Sequence, residues 1–345
     1  MKDLKYLAAY LLPFIAIFGL LQGGSYAYVA VIFIFGIVPV IELFAPNIAD
    51  NDDEEEKANK LANHFFDWLL YLNVPIIYGT LGVFIYVLNT KENSTYELIG
   101  YVLSVGLVLG SCGINVGHEL GHRNSKLEQL LAKLLLLPSH YTHFFIEHNR
   151  GHHKYVATEK DPASARKNEN LYAFWLRSTV KGYQNAWYLE HKRLAALNIS
   201  FWSWHNEMLV FTSAQIAYLA TIALLTHPTG WLAVVCAGVF GFLLLETINY
   251  VEHYGLRRKL LPNGRYERVL PIHSWNSNYF MGRIMLYELT RHSDHHFLAS
   301  KKYQTLDHHD DSPELPLGYP ACMLMAFLPP LWFAVMNKRI PHSSG

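Results

Sequence analysis

The chain has 345 residues, 51% hydrophobic and only 16% charged, where an average soluble domain carries about a quarter charged residues, so an ordinary water-soluble globule is excluded. Its 28 Lys and Arg offset 28 Asp and Glu, leaving no electrostatic bias toward nucleic acid. The 3 cysteines, Cys112, Cys236 and Cys322, lie far apart and give neither a disulfide framework nor a C-x-x-C redox pair.

The apolar residues fall in blocks, predicting membrane helices at 6–21, 28–44, 68–88, 98–116, 208–225 and 231–248. Each block approaches the roughly 17 to 25 residues that a spanning helix needs. The expected class is therefore an all-α polytopic membrane protein, a single domain over 1–345 with six transmembrane helices. The first block lacks an A-x-A-like cleavage site and is soon followed by a second, so it reads as a retained helix. The acidic run Asp50–Glu56 reads as a solvated loop whose end suits the first turn of a helix leading through Phe65 into the third span. With the amino terminus inside, the external loops 22–27, 89–96 and 226–230 hold a single basic residue, Lys91. That asymmetry places both termini on the cytoplasmic side, together with the segments 118–207 and 253–318. The closing stretch Pro320–Met336, interrupted by Pro329 and Pro330, is expected to be an interfacial helix rather than a seventh span.

Those two cytoplasmic segments hold the informative residues and are expected to form a histidine-rich helical cap. Nine of the 19 histidines gather in four clusters: His118 with His122; His148, His152 and His153; His253, following Glu252; and His292, His295 and His296. Two metals at four to five ligands each use about nine imidazoles, whereas one zinc leaves most idle. On an α-helix, residues four apart share a face, so His118 with His122, His148 with His152, and His292 with His296 are each expected to grip one metal. Adjacent residues point about 100° apart, which turns His153 and His295 toward a second metal. Glu119, Glu147, Asp161, Glu252 and Asp294 are expected to accept hydrogen bonds from the far nitrogens of ligating histidines. His273 is a further candidate behind the ligands. His64, His140, His143, His191, His205, His227, His308, His309 and His342 read as ordinary hydrogen-bonded or interfacial residues. A different chemistry also matches the first cluster, since H-E-x-x-H is the zinc-protease pattern with Glu119 as the water-activating base. That reading leaves most of the other clusters unexplained. A ferritin-type di-iron site is disfavoured because only Glu119 with His122 supplies an E-x-x-H pair.

At these residues the chain resembles the membrane-bound alkane 1-monooxygenase family, within the histidine-box desaturases and hydroxylases. The likeness rests on His118–Arg123, Glu147–His153, Asn249–Leu256 and Arg291–His296, and extends through Asp161–Ser164, Ser274–Ser277, Tyr303 and Gln304. Arg123 stands where the family commonly has Lys, and Phe297 where it commonly has Ala. Xylene-type hydroxylases and fatty-acyl desaturases share the box arrangement, but the wording of the motifs favours alkanes.

The resemblance implies two non-haem iron ions held by His118, His122, His148, His152, His153, His253, His292, His295 and His296. It implies O2-dependent hydroxylation of medium-chain n-alkanes at the terminal methyl, in a bacterial inner membrane with the site on the cytoplasmic side. A tunnel between apolar helices has to aim one chain end at the metal and exclude water, with Phe33, Ile34 and Ile37 on the second helix as candidate lining. The chain has neither a cysteine cluster for iron–sulfur nor a dinucleotide fingerprint, so electrons come from a separate carrier. The resemblance points to rubredoxin with its reductase. Arg257, Arg258, Lys259, Lys301 and Lys302, with Arg265 and Arg268, are basic residues placed to steer an acidic carrier.

Overall fold

The protein is described by a computed structural model over residues 2–341, so His342 lies outside the described residues. Six helices are long and apolar enough to cross a membrane: Lys2–Gln22, Gly24–Phe44, Phe65–Thr90, Thr95–Gly121, Glu207–Leu225 and Pro228–His253. They coincide with the six expected blocks but extend beyond them, most at the ends that carry histidines. Apolar composition stops at Val116 and Ile248, whereas the backbone ladder runs on to Gly121 and His253. No β-strand occurs among the described residues, only isolated bridges such as Asn47 with Tyr279.

The chain divides into two compact units. One comprises the residues up to Ile37 with Asp67–Glu147 and Tyr183–Leu245. Its fourth spanning helix is the most buried of the six, and small residues explain how. Ser104 donates to the Ala27 carbonyl at 2.7 Å. A Cβ on Gly106 would lie 2.6 Å from the Phe240 ring and 2.9 Å from the Ala237 carbonyl. Lipid gives helices no hydrophobic reason to associate, so such close backbone approach is what packs them. The same helix starts in a capping box between Ser94 and Glu97. Glu97 also accepts from the Gly24 N–H at 2.7 Å, closing the turn after the first span where Gly23 and Gly24 take φ of 73° and 57°, conformations natural to glycine. Further along, Leu109–Ile114 forms a π-helical turn before Asn115–Gly121 resumes as α-helix. A π turn admits one extra residue and resets which face the following residues occupy, here the face of His118 and His122.

The other unit comprises Val38–Phe66, His148–Gly182 and the chain from Glu246 onward. Its core gathers Phe174, Tyr250, Tyr254, Trp275, Trp332 and Met336. The closing stretch corrects the expectation of one interfacial helix. It forms two short helices, Tyr319–Ala326 and Pro329–Met336, each of eight residues and so about 12 Å long, too short to cross. Trp332 packs on Tyr250 and Tyr254, each ring 5.4 Å away, so one side of this segment joins the core while Leu324, Leu328 and Leu331 stay exposed. The acidic run forms Glu54–Ala62, capped by Asp53, which accepts from the Glu56 N–H at 2.8 Å. That helix stops at Asn63 instead of continuing into the third span, because Asn63 takes an extended conformation and its side chain caps the restart by accepting from Phe65 N–H.

Gly106→Ala is expected to destabilise the protein by about 1–3 kcal/mol through overpacking, whereas Gly79→Ala, with open space where the methyl would go, is expected to be neutral. Thermal unfolding of the two variants in detergent distinguishes them.

Candidate metal centre

In the second unit His152, His253, His292 and His296 are all buried, with ligand atoms within 4.8 Å of one another. Nε2 of His152 lies 3.2 Å from Nε2 of His296, and Nε2 of His253 lies 3.1 Å from Nε2 of His292. Nitrogens that share a metal at about 2.0–2.1 Å sit about 3 Å apart, so the donor set fits a metal ion. The four arrive on three elements: His253 ends the sixth spanning helix, His292 and His296 are one turn apart on His292–Phe297, and His152 ends a π-helical turn. Ligation requires neutral imidazole. Burial, reinforced by the neighbouring histidines, holds His296 well below the ordinary histidine range and brings His295 down to about 3.

That π turn, His148–His152, corrects the expected pairing of His148 with His152. An α-helix aligns residues four apart, but a π turn closes i→i+5, and the residue five on from His148 is His153. Their Nε2 atoms lie 2.9 Å apart, while His152 faces the other set. His295 joins them, its ring 4.9 Å from that of His153. The doubled histidines therefore do split, with His152 and His296 in one group and His153 and His295 in the other.

The first unit brings His118 and His122 together at the end of the fourth spanning helix, with ring centroids 5.0 Å apart. Between them Glu119 accepts from Arg123 at 2.7 and 3.1 Å. The carboxylate that a zinc protease would use to activate water is thus committed to an ion pair. Glu147 accepts from the Asn185 amide at 3.2 Å.

The carboxylates of the second unit take different positions. Asp161 lies 2.9 Å from Nδ1 of His152 and is fixed by the Ser164 hydroxyl and the Ala163 N–H. Burial opposes its charge, but His152 and Ser164 outweigh that and hold its carboxyl below the usual range. This orients His152 with its Nε2 turned toward His296. Nδ1 of His253 and Nδ1 of His296 have no hydrogen-bond partner among the described residues. Asp294 is engaged by Lys301 at 2.7 Å, His309 at 2.7 Å and the Asp307 N–H at 2.8 Å. His273 accepts from Leu270 N–H and lies 3.3 Å from Glu267. Glu252 lies 3.2 Å from Nε2 of His292, and its other oxygen accepts from Tyr319 at 2.5 Å. Sequence reading passed over Tyr319, which sits 67 residues beyond Glu252 without any motif, whereas His309, expected to be an ordinary hydrogen-bonded histidine, is hydrogen-bonded to Asp294.

Of the basic residues, Lys301 is held by Asp294 and Asp307, and Arg258 bonds the carbonyls of Glu267, Lys154 and Val156. Arg257 is half-buried against the Leu256 carbonyl, Lys302 is half-buried, and Lys259, Arg265 and Arg268 are exposed. Phe33 and Ile37 line an apolar groove with Leu11, Phe14, Phe18 and Ile32, whereas Ile34 is half-buried outside that lining.

Six apolar spans and buried histidine groups define a membrane enzyme of the histidine-box class, and the fatty acid desaturase family matches residues 96–328, which include all four clusters. Alkane 1-monooxygenase 2 of Alcanivorax borkumensis is 38% identical over 99% of this chain and 91% of its own. Alkane 1-monooxygenase 1 of Pseudomonas aeruginosa is 40% identical over 91% and 83%. The hydroxylase component of xylene/toluene monooxygenase from Pseudomonas putida is 26% identical over 98% and 89%. The chain belongs to the alkane 1-monooxygenase family.

Asp161→Asn keeps the shape but removes the charge behind His152, and is expected to weaken metal retention about 10- to 100-fold. Competition of the purified variant against a chelator measures it.

Proposed function

We propose that this protein inserts one oxygen atom from O2 at the terminal methyl of medium-chain n-alkanes, giving 1-alkanols, with two iron ions as cofactor. The observation that carries the reading is the clustering of imidazoles, most of them buried, in a membrane protein whose relatives are named alkane 1-monooxygenases. One iron is assigned to His152, His253, His292 and His296, and the remaining clustered histidines, His118, His122, His148, His153 and His295, are proposed as ligands as well. When bound, the irons supply the O2 activation needed to break an unactivated C–H bond. The protein's part is positioning and exclusion of water. Phe33, Ile34 and Ile37 are offered as lining for the alkane's path, for which the apolar groove beside Phe33 and Ile37 is support.

Electrons are assigned to rubredoxin and its reductase. Of the basic residues considered, Lys259, Arg265 and Arg268 are the exposed ones, and they are proposed as the patch that meets an acidic carrier. The positive-inside distribution supports a bacterial inner-membrane location with the termini and the metal centre facing the cytoplasm.

Detergent-purified protein is expected to hold two irons per chain and to form 1-octanol from octane in an O2- and reductant-dependent assay. One zinc per chain without alcohol would sink the reading. Reversing Lys259, Arg265 and Arg268 to Glu together is expected to slow rubredoxin-supported turnover about tenfold at low salt, with the deficit shrinking as salt rises. A deficit that salt does not alter removes these residues from the docking surface.

A further inference from the structure

The two carboxylates beside the four-histidine group sit on opposite sides of their imidazoles. Asp161 takes Nδ1 of His152, the nitrogen turned away from the group. Glu252 instead places Oε2 3.2 Å from Nε2 of His292, the same nitrogen that lies 3.1 Å from Nε2 of His253. A carboxylate that merely oriented its ligand would accept from the far nitrogen, as Asp161 does. Glu252 is 3% exposed, and among the described residues its side chain meets the Tyr319 hydroxyl and His292, with neither Lys nor Arg paired to it. Buried carboxylates are paired with a cation or coordinate a metal. Tyr319 is likewise 3% exposed, and its hydroxyl donates to Oε1 at 2.5 Å, leaving Oε2 turned to His292.

We propose that Tyr319 is a positioning residue for the metal centre, holding Glu252 so that Oε2 is an oxygen donor to the metal gripped by His152, His253, His292 and His296. This rests on the metal reading above and adds an oxygen to a set of four nitrogens. Tyr319 is placed for it by its own short helix, Tyr319–Ala326, whose Cys322, Met325 and Ala326 are part of the core of the unit. The preceding residue is Gly318, where a Cβ would collide with the Glu42 carboxylate. The backbone leading into Tyr319 is therefore seated closely against its surroundings.

The test compares whole, metal-loaded protein carrying Tyr319→Phe, Glu252→Gln or both, with Tyr303→Phe as control. Tyr303 is another buried tyrosine of the same unit, and its hydroxyl donates to the Phe66 carbonyl. Release of metal to a chelator and the Mössbauer spectrum of 57Fe-loaded protein are the readouts. Tyr319→Phe and Glu252→Gln are each expected to release metal about 10- to 100-fold faster and to change the signature of one iron while sparing the other. The double variant is expected to release no faster than Glu252→Gln alone, and Tyr303→Phe to match the wild type. Wild-type release from Tyr319→Phe, an equal effect of Tyr303→Phe, or additive single effects would overturn the proposal. If Tyr319→Phe does not accumulate as folded protein, Glu252→Gln decides alone, and an unchanged release rate overturns it. A wild type that holds zinc removes the iron reading but leaves the release rates decisive for Tyr319, whereas one that holds no metal overturns both.

Discussion

Four buried imidazoles bring their Nε2 atoms together in two pairs at 3.2 and 3.1 Å, with all four ligand atoms within 4.8 Å of one another, a donor set that a cation satisfies. Their lone pairs repel, and protonation is no remedy, because burial disfavours a second and third positive charge in the same place. The surrounding architecture follows from this. Asp161 fixes one ring by its outer nitrogen, Ser164 and the Ala163 N–H fix Asp161, and the helix that ends in His253 and the short helix His292–Phe297 present the other rings. A soluble protein can satisfy such a set on loops. Here two of the four clusters continue membrane helices, so helix packing in lipid becomes a determinant of ligand position.

The small-residue face of the fourth spanning helix shows how directly. Gly106 lets the Phe240 ring and the Ala237 carbonyl approach to a distance that no side chain would permit, and the histidines at the end of the same helix inherit that placement. In the other unit the broken terminal helices do comparable work by packing. Trp332 seats against Tyr250 and Tyr254, the residues flanking Glu252 and His253 along the chain.

Much of this was legible in the sequence because lipid and metal both impose strong, local patterns. Apolar blocks gave six spans to within a few residues at most ends, and doubled histidines gave the split into two groups. What stayed hidden depends on backbone detail or on distance along the chain. Nothing in His148-Asn-Arg-Gly-His152 announces a π turn, so α-helical spacing misassigned His148. Asp294 adjoins His295 in sequence yet bonds Lys301 and His309, since the side chain beside a ligand on a helix points away from it. Glu252 was recognised as important but assigned the wrong face of the imidazole, because only Tyr319, remote in sequence, reveals which oxygen is tied back.

The widened turn at His148–His152 also bears on how spacing is counted. A motif written as histidine, three residues, histidine, histidine is ordinarily read in the currency of 3.6 residues per turn, by which its first and second members belong together. In this chain the first and third belong together, and the odd residue of the turn is what sends neighbouring side chains to different partners. Transplanting the motif onto a regular helix would preserve every letter and lose the partition, so the backbone irregularity is as much a part of the ligand set as the imidazoles themselves.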